Sequence, residues 1–295
     1  MLSAGSRSVA EESDAPEPDT APQAAGWRAR LALDFERRAE RTVLASRIHD
    51  GPLVVQKPLY PEGDAVCHAI VVHPPAGIAG GDELLIELRA GARAEALATT
   101  PGAGKWYRSR GPWARQRVRI EALAASRVEW LPQETIVYDG ARADIAWEAR
   151  IAADARLIAW DVICLGRTGS GERFDKGSCR IASRLWRDGK LAWQERGHIE
   201  PGALVHRSAA GLGAEPVFGT MIAAAPVIED AWLAQCREVA PRRGEAAVTR
   251  LPGLLVARYR GDSSEAARIY FTALWTRLRE PMMGRAAIEP RIWST

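Results

Sequence analysis

Arg180–Glu195 reads RIASRLWRDGKLAWQE. Two Trp-bearing halves flank Asp188-Gly189, a dipeptide suited to two-residue hairpin turns because both central positions take positive φ. The spacing predicts two strands joined by a tight turn. Thr42–Lys57 follows the same plan around Asp50-Gly51-Pro52. Further strand patterns occur at Glu83–Leu88, Val118–Leu123, Arg127–Leu131, Ile145–Ile151 and Leu157–Leu165. No helical period intervenes between them. Strands without alternating helices exclude βαβ units and predict an antiparallel or coiled all-β architecture.

Two helices are predicted, both late. Asp230 can cap one that places Trp232, Leu233, Cys236 and Val239 on one face and stops at Pro241. The second runs from Asp262 or Ser263 to Glu280. Asp262 with Glu265 resembles a capping box, and Pro281 ends the pattern. Ile269, Ala273, Trp275 and Leu278 form its apolar stripe, which Tyr270 and Phe271 widen. A stripe that broad marks a buried helix, or else a helix offered to a partner protein.

The 295 residues are 47% hydrophobic and 26% charged, which is ordinary globular composition. Forty basic against 37 acidic residues leave a formal charge of +3, too balanced for a general nucleic-acid binder. Residues 1–26 differ: Glu11, Glu12, Asp14, Glu17 and Asp19 stand against Arg7, with three prolines and no aromatic residue. Such a stretch reads as a disordered acidic tail, leaving residues 27–295 as a single domain. The longest charge-free run, Ala65–Gly81, has 17 residues and includes histidines, prolines and glycines. A membrane span needs about 20 mostly apolar residues, so no transmembrane helix is predicted. The N-terminus shows no signal-peptide core. Cys67, Cys164, Cys179 and Cys236 show no paired spacing, so the expectation is a cytoplasmic protein with reduced thiols.

Catalytic signatures fail on inspection. Gly102-Ala103-Gly104-Lys105 ends like a phosphate loop, but Thr99 and Trp106 occupy positions that require Gly and Ser or Thr. Gly166–Gly171 lacks dinucleotide spacing, and Ser170 lacks the nucleophile elbow. Cys67, His68 and His73 fall within seven residues and suit Ni, Cu or Zn, yet on one strand His68 faces away from the other two. Asp82, Asp161 and Glu195 sit in apolar or Gly-rich settings. Burying a carboxylate requires pairing, hydrogen bonding or a metal. A buried Arg–carboxylate pair is the ordinary account, and an internal hydrophilic path for a cation is the sharper one. Arg115, Arg117 and Arg119 alternate on one strand face with Trp113 in register, as a solvated face or a docking stripe would.

Longer blocks of sequence say more. They are Gln56–Gly63, Cys67-His68, His73–Asp82, Thr99–Ala103 with Lys105–Ser109, and Glu129–Thr135, followed by Trp160-Asp161, Cys164–Arg167 and Pro290–Trp293. In this order they resemble the urease accessory protein D family, called H in some organisms, from Trp27 to Thr295. The acidic tail lies outside the family pattern, and Gly104 stands where Ser or Thr is expected.

The resemblance implies a mainly β fold, a coiled or helical stack of antiparallel and mixed sheets with two α-helices in the C-terminal third. It implies a non-enzymatic urease maturation scaffold that binds apo-urease and accessory protein F, which recruits the GTPase accessory protein G. No nucleic acid or membrane partner and no tightly bound cofactor are implied, only nickel in transit. Oxygen donors hold Ni(II) less tightly than a His/Cys cage and suit transit. The candidate path residues are Asp64, Asp82, Asp161 and Glu195, with Glu62, Glu129 and Glu134 in reserve. The Asp262–Glu280 helix and the adjoining tail are the candidate dock for accessory protein F. The competing reading is tight nickel storage or sensing on Cys67, His68 and His73.

Overall fold

The computed structural model describes residues 26–294, and the acidic tail lies outside them. One sheet has seven strands in the order Lys190–Ile199, Ser178–Arg187, Arg142–Ile151, Ala114–Ala122, Glu83–Ala90, Arg28–Arg38, Arg41–Asp50. Its five middle strands pair in parallel, and each edge strand joins by an antiparallel hairpin. The Asp188-Gly189 hairpin forms as predicted, with φ of 48° and 73°.

The second sheet follows from how the chain travels. After Glu83–Ala90, Ala114–Ala122 and Arg142–Ile151 of the first sheet it turns a corner and lays a strand in the second: Glu95–Thr99, Arg127–Leu131 and Arg156–Leu165 pair in parallel beside Val66–Val72. The corners stack as well, since Arg93 N–H donates to the Ala124 carbonyl and Arg127 N–H to the Ala94 carbonyl, at 2.9 and 3.0 Å. The coiled alternative is therefore the one adopted, a β-solenoid-like stack. Antiparallel strands Val217–Ala224, Leu254–Gly261 and Glu245–Leu251 extend the second sheet. The Thr42–Lys57 hairpin is not formed: Arg41–Asp50 pairs with Arg28–Arg38, while Val54–Val55 joins Val66–Val72. A turn signal fixes a reversal of direction, not which sheet the next residues enter.

Burial follows the layers. In Arg142–Ile151 of the first sheet, Ala143, Ile145, Trp147, Ala149 and Ile151 are buried and the alternate residues face water. On that outer face Arg115 meets Glu83 at 2.9 Å, Arg117 meets Asp144 at 2.6 Å and Arg119 lies 3.5 Å from Glu87. The arginine stripe is a solvated ladder whose pairs each contribute about 0–1 kcal/mol. The second sheet is covered on both sides. Leu157, Ala159, Ile163 and Leu165 pack toward the first sheet, whereas Ile158, Trp160, Val162 and Cys164 pack toward helices.

Those helices are α1 (Leu204–Arg207), α2 (Asp230–Arg237) and α3 (Ser264–Met283). The short α1 is additional to the two predicted. Glu229 precedes α2, which ends before Pro241, and Asp230 is its first residue. The cap of α3 is Ser263, whose hydroxyl accepts from Ala266 N–H at 3.2 Å, not Asp262, which pairs with Arg243. Helix α3 also runs through Pro281 to Gly284, which adopts the left-handed conformation at φ 72°. Proline removes only one donor in the last turn. Arg127 and Arg156 satisfy the exposed carbonyls there, at Met283 (2.8 Å) and Pro281 (3.2 Å). The face of α3 that packs on the sheet carries Tyr270, Phe271, Leu274, Trp275 and Leu278, so Ile269 and Ala273 of the predicted stripe are only half-buried. Each such large side chain contributes about 1.5–3 kcal/mol. Trp293, in the 3₁₀ turn Arg291–Ser294, lies 5.9 Å from both Trp160 and Trp275 and closes this second core.

Candidate functional site

Along Arg156–Leu165 the odd-numbered residues face the first sheet, so Asp161 enters the space between sheets. There a cavity of about 30 Å³ is lined by Asp161, Glu195, Thr220, Trp147 and Ser183 among others. That volume suffices for about one or two waters. Gly219 lets the neighbouring strand close over it: a Cβ there would lie 2.7 Å from the Asp161 carbonyl oxygen and from Phe271 Cε2.

Burial raises the Asp161 carboxyl to a pKa of about 7; a hydrogen bond with Trp147 opposes this and the charge of Glu195 adds to it. Glu195 is better supported. Its Oε1 accepts from Arg258 Nη1 at 2.6 Å and its Oε2 from Thr220 Oγ1 at 3.3 Å. An outer cleft of about 400 Å³, lined by Arg258, Tyr259 and Arg260, shares Glu195, Phe218, Gly219 and Thr220 with the inner cavity. Glu195 therefore stands between an inner, electrostatically coupled carboxylate and a cleft open to solvent. A pair of this kind offers a cation oxygen donors without a closed cage.

The other sequence candidates do not join this pair. Asp64 is exposed and lies 3.5 Å from Arg41. Asp82 is buried, but its two oxygens accept from Trp27 N–H at 2.8 Å and Ala79 N–H at 2.7 Å, fastening a loop. Glu134 pairs with Arg268 at 3.3 Å. Glu62 and Glu129 do converge, around Arg279, which is 0% exposed. Arg279 reaches Glu62 at 2.8 Å and Glu129 at 2.9 Å; Trp275 Nε1 also donates to Glu129 at 2.6 Å, and His68 Nε2 lies 2.5 Å from Glu62. Burial works against the Glu62 charge, but hydrogen bonds from His68 and Arg279 outweigh it and hold its pKa below the usual carboxylate value. Burial prevails at Glu129, whose pKa is raised. This is the buried Arg–carboxylate arrangement, and it ties α3 to the second sheet.

Cys67 packs in the inter-sheet core while His68 faces Glu62 on the other side of the same strand. Burial lowers the pKa of half-buried His73, and the charge of Asp82 partly offsets this. Among the described residues no three His, Cys, Asp or Glu side chains gather as a metal cage, and the four cysteines are free and buried. Sequence reading missed Arg258, Thr220 and Trp147 around the carboxylate pair. Each lies on a separate strand, and no local pattern marks it.

Fold and site together define a coiled two-sheet β protein with a coupled carboxylate pair inside it. The family model described as UreD urease accessory protein matches residues 27–294. A urease accessory protein UreD of Azoarcus sp. (strain BH72) is 55% identical over 270 residues, covering 92% of this chain and 95% of its own. That of Dechloromonas aromatica (strain RCB) is 49% identical over 283 residues, covering 95% and 97%. The chain belongs to the UreD urease accessory protein family, and its role lies in urease maturation.

Proposed function

We propose that the chain is a non-catalytic scaffold, acting in the cytoplasm, that binds apo-urease and accessory protein F, engages the GTPase accessory protein G through F, and passes nickel toward urease. The observation that supports the nickel path is the meeting of Asp161 and Glu195 between a small inter-sheet cavity and an open cleft. Two coupled carboxylates attract a divalent cation, and fewer than three ligands let it leave. At neutral pH Asp161 is part-protonated, so an entering cation displaces a proton. Asp82 and Asp64 lie at other places in the fold, Asp82 on the amides of Trp27 and Ala79 and Asp64 beside Arg41.

Accessory protein F docks on the outward face of α3 and the C-terminal turn, where a groove of about 310 Å³ is lined by Ile269, Thr272, Ala273, Pro132 and Trp293. Truncation at Gly261 would strip the second core, so the test uses the exposed residues Thr276 and Arg277. Thr276→Glu with Arg277→Glu is expected to weaken co-purification of F while the chain stays folded; undiminished capture removes F from this face. For the path, Asp161→Asn and Glu195→Gln are expected to leave the accessory complex assembled and the resulting urease nickel-poor. Normal nickel content in urease matured with both variants refutes the path.

A further inference from the structure

Glu195 belongs to the edge strand Lys190–Ile199 of the first sheet, yet the second sheet holds both of its carboxylate oxygens. Thr220 and Arg258 stand directly opposite each other where Val217–Ala224 pairs with Leu254–Gly261. Each takes one oxygen, Thr220 Oγ1 at 3.3 Å and Arg258 Nη1 at 2.6 Å. A cation entering from the outer cleft therefore meets a carboxylate whose charge is already matched.

The form of the Arg258 contact suits a tie that opens. It holds Glu195 through one hydrogen bond, whereas a guanidinium that anchors a carboxylate commonly grips with two nitrogens. Two residues along the same strand, Arg260 shows the anchored form. Its Nε and Nη2 meet Glu245 at 3.0 and 2.6 Å, while Nη1 donates to the Ala209 and Gly211 carbonyls at 2.6 and 3.0 Å. The Arg258 side chain is 54% exposed against 18% for Glu195, so the guanidinium can withdraw into water and the carboxylate cannot. A resting place is at hand. The guanidinium carbon of Arg258 lies 5.6 Å from the centre of the Trp193 ring, within range of cation–π attraction. Trp193 shares a strand face with Glu195, and its Nε1 donates to Ser183 Oγ at 3.0 Å, which fixes the ring beside the carboxylate.

We propose that Arg258 is a displaceable counter-ion, a positioning and selectivity residue for the carboxylate pair. It neutralises Glu195 while the pair is empty, swings toward Trp193 when a divalent cation takes the carboxylate, and returns as the cation leaves. This rests on the nickel-path reading of the pair. Glu195 is then matched by one positive charge or another at each stage and is never left uncompensated in its part-buried position. A monovalent ion offers no more charge than the guanidinium it would replace and forgoes the hydrogen bond. A divalent ion shared with Asp161 offers twice the charge. The returning guanidinium also loosens the hold on the ion, as transit requires.

Calorimetric titration of the full chain with nickel sulfate tests this, with the melting temperature of each variant read alongside. Arg258→Gln keeps most of the stem and loses the charge. It is expected to bind Ni(II) about two- to fivefold more tightly than the native chain, the worth of one partly exposed ion pair. Arg258→Lys, which keeps the charge, should bind as the native chain does. Arg258→Gln combined with Glu195→Gln should bind no more tightly than Glu195→Gln alone, because no carboxylate is left to uncover. An ion pair that only ties the sheets together would lower the melting temperature of Arg258→Gln without tightening Ni(II) binding. Equal or weaker binding by Arg258→Gln, a gain shared by Arg258→Lys, or a gain that persists on the Glu195→Gln background overturns the proposal. If Glu195→Gln weakens Ni(II) binding while Arg258→Gln leaves it unchanged, the counter-ion falls and the path stands; if neither replacement alters it, both fall.

Discussion

Asp161→Asn gives the most direct physical test of the interior carboxylate pair. Burial beside Glu195 raises Asp161 from 3.8 to about 7 in the folded chain. At low pH the carboxyl is protonated in both states and has no effect on stability. As pH rises past 3.8 the unfolded chain releases its proton while the native chain keeps it, so stability falls until pH passes about 7. Three pH units at about 1.4 kcal/mol each make a loss of about 4 kcal/mol. Partial access of water to the residue trims this to about 2–4 kcal/mol. Asparagine carries no proton to lose. Urea unfolding of native and Asp161→Asn chains at about pH 5 and about pH 8 isolates the effect, because other titrating groups are common to both. Between these two pH values only about two of the three pH units remain, so the difference in unfolding free energy between variant and native should shift in favour of Asn by about 1–3 kcal/mol on going to the higher pH. A pH-independent difference, or a shift of opposite sign, would refute the buried, unpaired state of this carboxyl.

Glu195→Gln removes the like charge, so the Asp161 titration should move down from about 7, read by carboxyl NMR or by a narrower pH window of stability; an unchanged midpoint denies the coupling. Arg279→Leu leaves Glu62 and Glu129 buried without their cation and should lower stability by about 3–5 kcal/mol. Adding Glu62→Gln and Glu129→Gln should recover part of that loss in chemical denaturation, and no recovery would mean that packing alone was lost. Gly219→Ala places a methyl against Asp161 and Phe271 and should destabilise by about 1–3 kcal/mol; an unchanged melting temperature would show that the strands can separate at no cost.

Sequence alone determined the local conformations. Period-two patterning located Glu83–Ala90, Arg127–Leu131, Arg142–Ile151 and Arg156–Leu165, and Asp188-Gly189 fixed a hairpin, because these depend on neighbouring residues and on glycine's access to positive φ. It also placed α3 to within a few residues, and the ordered blocks from Gln56 to Trp293 announced the family. Periodicity tells which face of a strand is apolar, but not which strand lies beside it. Only the coil decided that consecutive strands enter different sheets and pair in parallel with strands a full turn away. The same limit governed the carboxylates. Asp82, Asp161, Glu129 and Glu62 look alike along the chain, each an acid in an apolar or glycine-rich stretch. Tertiary structure gave Glu62 an arginine 217 residues distant, gave Asp82 two backbone amides, and left Asp161 with Glu195 as its charged neighbour. The fate of a buried charge is set by what surrounds it in space, and that environment comes from strands that the sequence keeps far apart.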